Sequence, residues 1–302
     1  MIKKLCGIVP PLVTPLLDNN TLDIDGLERL IEHVIAGGVH GIFILGTTGE
    51  GPSLSLNLQK QMIKESCRIL YKRLPLLVGI SHTSIVESVH LSQFAYEIGA
   101  DSVVSAPPYY FASSQPELIE YYENLIPQLE LPLFLYNMPA LTKVSFTPET
   151  IKRIAENNKV IGFKDSSANG TYFQKVMYEM QDNKDFSIFI GPEEMMAEAV
   201  MMGADGGVNG GANMFPKLYV DLYHAALSGK LEEVRKLQSK VMKISSAIYN
   251  AGNYGSSFLK GVKCSLSVLG ICNDFVASPF NRFDNEYKNK IVKAIEDIQF
   301  TI

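Results

Sequence analysis

Residues 131–166 read LPLFLYNMPALTKVSFTPETIKRIAENNKVIGFKDS. Two apolar runs, 131–136 and 160–164, bracket a segment in which Pro148 follows Thr147, a pairing suited to the first turn of a helix. Both runs are apolar at nearly every position instead of alternating, as expected of parallel strands covered on both faces. Strand, helix, strand makes a βα unit, and the unit recurs in both directions along the chain. Candidate strands cover 7–14, 41–45, 76–80, 102–105, 131–136, 160–164, 186–190 and 206–209. Helical periodicity returns between them: Leu27, Leu30, Ile31, Val34 and Ile35 share one helix face, and Pro116 and Pro216 stand where further first turns begin. Eight such units predict an α/β fold, a (β/α)8 TIM barrel, in preference to a doubly wound sheet.

Beyond about residue 228 the strand signal stops, and 231–249, 256–269 and 285–298 all read as helices. The expected organisation is a barrel over 1–227 followed by a C-terminal helical extension over 228–302. No Ser/Gly-rich linker separates the two, so the extension should pack on the barrel.

Composition narrows the partners. The chain has 302 residues, 46% hydrophobic and 20% charged, with a net charge of −5. That balance argues against nucleic acid and anionic membranes, which reward basic patches. No apolar run approaches the roughly 18 residues of a membrane span. The N-terminal MIKKLCGIVPPLVTP breaks at Gly7 and Pro10 before a signal-peptide core could form. Cys6, Cys67, Cys264 and Cys272 show no CxxC pairing, which suits reduced thiols and a cytoplasmic location. The five histidines lack metal-ligand spacing, so no metal site is expected.

In such a barrel the working side chains come from the C-terminal ends of the strands. Lys164 ends an almost wholly apolar strand. A lysine there either reaches solvent, pairs with a carboxylate, or sits desolvated with a depressed pKa, free to attack a carbonyl as a neutral amine. Adjacent Asp165 is a poor partner because neighbouring strand residues point to opposite faces. The turn Gly46-Thr47-Thr48-Gly49-Glu50 offers amides and two hydroxyls to an anion. Tyr136 closes its strand with a phenol whose position alone favours a core ring with a bonded hydroxyl over proton transfer. His82 ends a strand and is a candidate to face substrate. Gly191 with Glu193 and Glu194, and Asn209 with the glycines after it, complete the candidates.

GTTGE, Pro108-Tyr109-Tyr110, Tyr136-Asn137-Met138-Pro139 and Gly162-Phe163-Lys164-Asp165-Ser166 occur in this order. Together they resemble the dihydrodipicolinate synthase/N-acetylneuraminate lyase family of class I, Schiff-base aldolases, over essentially the whole chain. The resemblance implies a (β/α)8 barrel in a homotetramer, a dimer of dimers, that binds pyruvate or another 2-keto acid and needs no metal or organic cofactor. It further implies that Lys164 forms the imine, Thr47 and Thr48 hold the carboxylate, and Tyr136 relays protons. Tyr110 matches a tyrosine contributed across the dimer interface. In the synthases an arginine two residues after the YNxP proline binds the second substrate's carboxylate; Leu141 stands there in this chain. Leucine makes no such contact, and YNxPAL resembles sialic-acid lyases and 2-keto-3-deoxy sugar-acid aldolases instead. In that reading Ser166, Gly191, Glu193, Glu194 and Asn209 serve the polyol half of the substrate. The expected activity is cleavage of a 2-keto-3-deoxy sugar acid or a sialic acid to pyruvate and an aldehyde. The alternatives are a dihydrodipicolinate synthase, a keto-deoxy acid dehydratase, or a keto-acid-binding protein without turnover.

Overall fold

The computed structural model describes residues 4–252 and 254–299. Its eight barrel strands are β1 (Gly7–Ile8), β2 (Ile42–Ile44), β3 (Leu76–Gly79), β4 (Ser102–Ser105), β5 (Leu133–Asn137), β6 (Val160–Asp165), β7 (Ser187–Ile190) and β8 (Gly206–Gly207). All pair in parallel, in the order β1-β8-β7-β6-β5-β4-β3-β2. The ring closes through 10–12: Phe43 N donates to Pro10 O and Leu12 N to Phe43 O, at 3.0 and 2.8 Å. The expected barrel is therefore the observed one.

The first and last strands are much shorter than their apolar runs. In the run 7–14, Pro10 and Pro11 have no N–H to give a ladder, so regular pairing stops at Ile8. In 206–209 the backbone turns at Gly210 into a short 3₁₀ helix, Gly210–Asn213. A small antiparallel hairpin, Leu16–Asp18 with Thr21–Leu22, precedes the first helix. Its few residues carry too little pattern to be read in advance.

The barrel helices are α1 (Ile24–Ala36), α2 (Leu56–Leu70), α3 (Ile85–Ile98), α4 (Gln115–Leu125), α5 (Pro148–Ile154), α6 (Gly170–Glu179), α7 (Met196–Met201) and α8 (Pro216–Leu227). Side-chain caps fix several starts: Asp23 Oδ1 accepts from Gly26 N at 2.8 Å, and Thr147 Oγ1 from Thr150 N at 3.2 Å. On α1, Leu27, Leu30, Ile31 and Val34 are fully buried, each contributing about 1.5–3 kcal/mol.

Packing forms two layers. Inside the barrel lie Val9, Phe43, Leu77, Val104, Phe134, Phe189 and Val208; a larger core fills the space between strands and helices. The inner layer is tight at β6: a Cβ on Gly162 would lie 2.2 Å from a ring carbon of Phe134. A methyl there would displace the ring beneath the strand end that carries Lys164.

The C-terminal part forms α9 (Leu231–Ile244), which runs into a π-helical turn (Ser245–Tyr249), then α10 (Ser257–Val268) and α11 (Asn285–Gln299). Val241, Ile244, Ile248, Val262 and Leu266 belong to the same apolar core as the barrel helices. Their side chains therefore share one core with the barrel helices.

Candidate active site

β5 and β6 bring the site's two main groups side by side. In register, Tyr136 stands opposite Lys164 and Asn137 opposite Asp165. Alternation sends the first pair into the barrel and the second pair away from it. Lys164 is 6% exposed, its Nζ 4.3 Å from the centroid of the Tyr136 ring and 5.3 Å from that of Phe43. Among the described residues no carboxylate lies within ion-pairing distance of it. Burial lowers its pKa against the opposing pull of Tyr136 and Asp165. Of the readings open to this lysine, the desolvated amine fits.

Asp165 is fully occupied on the outer face. It accepts from Asn137 Nδ2 at 2.8 Å and from the Ser167 amide and hydroxyl at 3.0 and 2.8 Å. Asn137 Oδ1 in turn accepts from the Phe146 amide at 3.2 Å. This outer network ties the ends of β5 and β6 together behind the Lys164–Tyr136 pair.

Thr47 completes the inner cluster: its Oγ1 lies 3.2 Å from Tyr136 Oη, while Thr48 beside it is buried. The turn runs into a short 3₁₀ helix, Gly51–Ser53, and not directly into α2. α2 begins only at Leu56, capped by Ser55. Residues 46–51 instead form a closed turn, with Glu50 N donating to Thr47 O and Gly51 N to Gly46 O. Leu45 and Glu50, at φ of 59° and 57°, bracket it in the left-handed region. Two non-glycine residues there each store about 1–2 kcal/mol of strain, which the surroundings must hold.

Above this cluster opens a cavity of about 260 Å³. Thr47, Ser81, Tyr109, Tyr136, Met138 and Leu141 are among its lining residues. Ser81, Tyr109 and Met138 stand at strand ends, Tyr109 and Met138 within the motifs that carry the resemblance, but the sequence assigned none of the three a role. His82 is half-buried and its Nδ1 accepts from Ser84 N, which occupies one ring nitrogen in a local turn.

The remaining candidates divide. Ser166, Gly191 and Asn209 come together: a Cβ on Gly191 would meet Ser166 Oγ at 2.1 Å, and Asn209 Nδ2 donates to Gly191 O at 3.0 Å. The acidic pair does not join them as free ligands. Glu193 is buried, with Oε1 accepting from the Tyr219 and Tyr249 hydroxyls and Oε2 from Gly211 N. Exposed Glu194 bonds Ser245 Oγ. These carboxylates join the strand-end loops to α8 and the π-helical turn. Tyr110 is 70% exposed and stacks edge-on with Phe111, itself 79% exposed, at 5.1 Å between centroids.

Burial pushes the Glu193 carboxyl up to about 7, against the hydrogen bonds of Tyr219, Tyr249 and Gly211, which hold it down. A pKa raised by folding gives stability that is complete below the ordinary value of 4.5 and is lost as pH rises through about 7. The loss is roughly 3 kcal/mol. Glu193→Gln is expected to flatten the decline of Tm between about pH 5 and pH 8. Thermal denaturation across that range checks it, and an unchanged slope would contradict it.

The sequence matches the model of the Dihydrodipicolinate synthetase family over residues 4–298. The chain belongs to that family. Among its relatives is the probable 2-dehydro-3-deoxy-D-pentonate aldolase of Escherichia coli (strain K12), 30% identical over 292 residues, covering 96% of each chain. The dihydrodipicolinate synthase of Bacteroides thetaiotaomicron superposes with a TM-score of 0.96 at 66% identity, covering 98% of this chain and 100% of its own. A family member from E. coli K12, solved in complex with pyruvate, matches with a TM-score of 0.91 at 26% identity, over 97% and 98% of the two chains. Among the described residues no helix is long and apolar enough to cross a membrane, and no cluster of three or more His, Cys, Asp or Glu could hold a metal ion.

Proposed function

We propose that this family member is a class I, pyruvate-dependent lyase that cleaves a 2-keto-3-deoxy sugar acid or a sialic acid through an imine on Lys164. The observation that carries the reading is the buried Lys164 amine, with no carboxylate in ion-pairing distance among the described residues, in register with Tyr136, whose Oη lies 3.2 Å from Thr47 Oγ1. The neutral Nζ attacks the C2 ketone, and the carbinolamine loses water to give a protonated imine. Tyr136 moves protons during that step and takes the C4 hydroxyl proton as the C3–C4 bond breaks. The bond's electrons pass into the iminium, leaving an enamine and releasing the aldehyde. Protonation at C3 and hydrolysis then return pyruvate and free Lys164. Thr47 and Thr48 hold the keto-acid carboxylate, orienting C2 toward the amine. Ser166, Gly191 and Asn209 serve the polyol half.

The aldehyde half is the open choice within the family. Leu141 lines the cavity where a carboxylate-binding arginine would favour aspartate semialdehyde. A second reading, dihydrodipicolinate synthase, is favoured by the 66% identity to the Bacteroides thetaiotaomicron protein of that name. Pyruvate release from a panel of keto-deoxy acids and N-acetylneuraminate, run beside condensation with aspartate semialdehyde, distinguishes them. Sugar-acid cleavage is expected to be fastest; faster condensation would transfer the assignment to the synthase. Leu141→Arg is expected to raise use of aspartate semialdehyde about tenfold or more, the worth of one charge-assisted contact, measured as kcat/KM.

The reading extends to assembly and place. A cytoplasmic homotetramer built as a dimer of dimers accounts for the exposed Tyr110–Phe111 pair, with Tyr110 completing the relay in a neighbouring subunit.

A further inference from the structure

Among the described residues a second lysine is buried, and the proposed reaction does not use it. Lys263, on α10, is 0% exposed; its Nζ forms an ion pair with Glu50 Oε2 and donates to Phe275 O at 2.7 Å. Glu50 Oε1 accepts from Ala277 N at 2.7 Å. Both Glu50 contacts join the active-site turn to the C-terminal part of the chain, and Phe275 O holds Lys263 in place within that part. We infer that Glu50 and Lys263 are positioning residues that fix the Thr47 and Thr48 hydroxyls for the keto-acid carboxylate, making the C-terminal helices part of the site's support.

The path is short. Glu50 N donates to Thr47 O at 3.1 Å, so a displacement of Glu50 passes directly to Thr47. Glu50 sits in the left-handed region, a conformation its side chain does not favour, and its two anchored oxygens hold it there. The turn is braced again at Gly49 O, which accepts from Thr14 Oγ1 at 2.6 Å, and at Gly51 O, which accepts from Gln59 Nε2 at 2.9 Å. Only the Glu50 anchor reaches outside the barrel units. Lys263 itself is no rival nucleophile, because its amine is engaged on two sides, by Glu50 and by Phe275 O. A buried ion pair often adds little net stability, so its value here lies in placement.

This inference rests on the proposed imine chemistry, so the wild type serves as the control. The readout is the pyruvate concentration that half-saturates borohydride trapping, with kcat followed alongside in the sugar-acid assay. In Glu50→Gln, Lys263→Met and the double variant, half-saturating pyruvate is expected to rise about tenfold or more, with a smaller change in kcat. The double variant leaves no orphaned charge, so its Tm should recover relative to the single variants while the weakened saturation stays. Folded variants that saturate within about twofold of wild type would overturn the inference alone. A wild type that traps no pyruvate would overturn the parent reading and this inference with it. Should the variants not fold, amide exchange in the wild type decides. Pyruvate is expected to slow exchange across 46–51 and at Ala277 together, and an Ala277 amide indifferent to pyruvate would overturn the coupling.

Discussion

Lys164→Ala is expected to lower kcat for aldehyde release by at least about 10³-fold, a rise of more than 4 kcal/mol in the barrel's reaction barrier. The variant should fold, because the substitution leaves β6 and its ladder to β5 and β7 intact. Alanine removes the covalent route outright, since no neighbouring amine replaces Nζ: Lys263 is the other buried lysine among the described residues and is held by Glu50. The wild-type pH profile carries a linked expectation. Burial lowers the Lys164 pKa, so the neutral, nucleophilic form persists to lower pH than for an ordinary lysine. The acidic limb of kcat/KM should accordingly lie below the usual lysine range. Steady-state kinetics of the variant, and the wild-type profile, check both statements.

Tyr136→Phe is the second large effect. The phenol stands 3.2 Å from Thr47 Oγ1 while its ring covers Lys164 Nζ at 4.3 Å. Phenylalanine keeps the ring, and with it the desolvation of the amine, but has no proton to relay. Loss of general acid–base catalysis predicts a fall in kcat of about 10²–10⁴-fold with a much smaller change in KM. Slower borohydride trapping of pyruvate should accompany it, because loss of water from the carbinolamine needs the same proton. A variant with wild-type kcat would remove Tyr136 from the relay.

What could be read in advance follows the range of the interactions. Parallel strands buried on both faces leave continuous apolar runs, so β2 to β7 were legible from pattern and β6 could be traced to its terminal lysine. The βα alternation places strand ends at one mouth, so Lys164, Tyr136 and Thr47 are marked by position alone. Groups whose meaning depends on remote partners were not legible. Glu193 looks like a mouth ligand until Tyr219 and Tyr249, 26 and 56 residues away, take its oxygens. Lys263 sits in an apolar helix with nothing nearby in sequence to mark Glu50 as its partner, 213 residues earlier. The left-handed backbone at Leu45 and Glu50 has no glycine to announce it. Local rules see elements and their ends, whereas the contacts that hold the active-site turn are set by tertiary packing.

The most direct measurement of the central claim is peptide mass mapping after borohydride reduction in the presence of pyruvate. A single reduced pyruvate adduct on the peptide carrying Lys164, absent without pyruvate and absent in Lys164→Ala, is the predicted result. No adduct, or an adduct borne by another lysine while catalysis persists in Lys164→Ala, would contradict it.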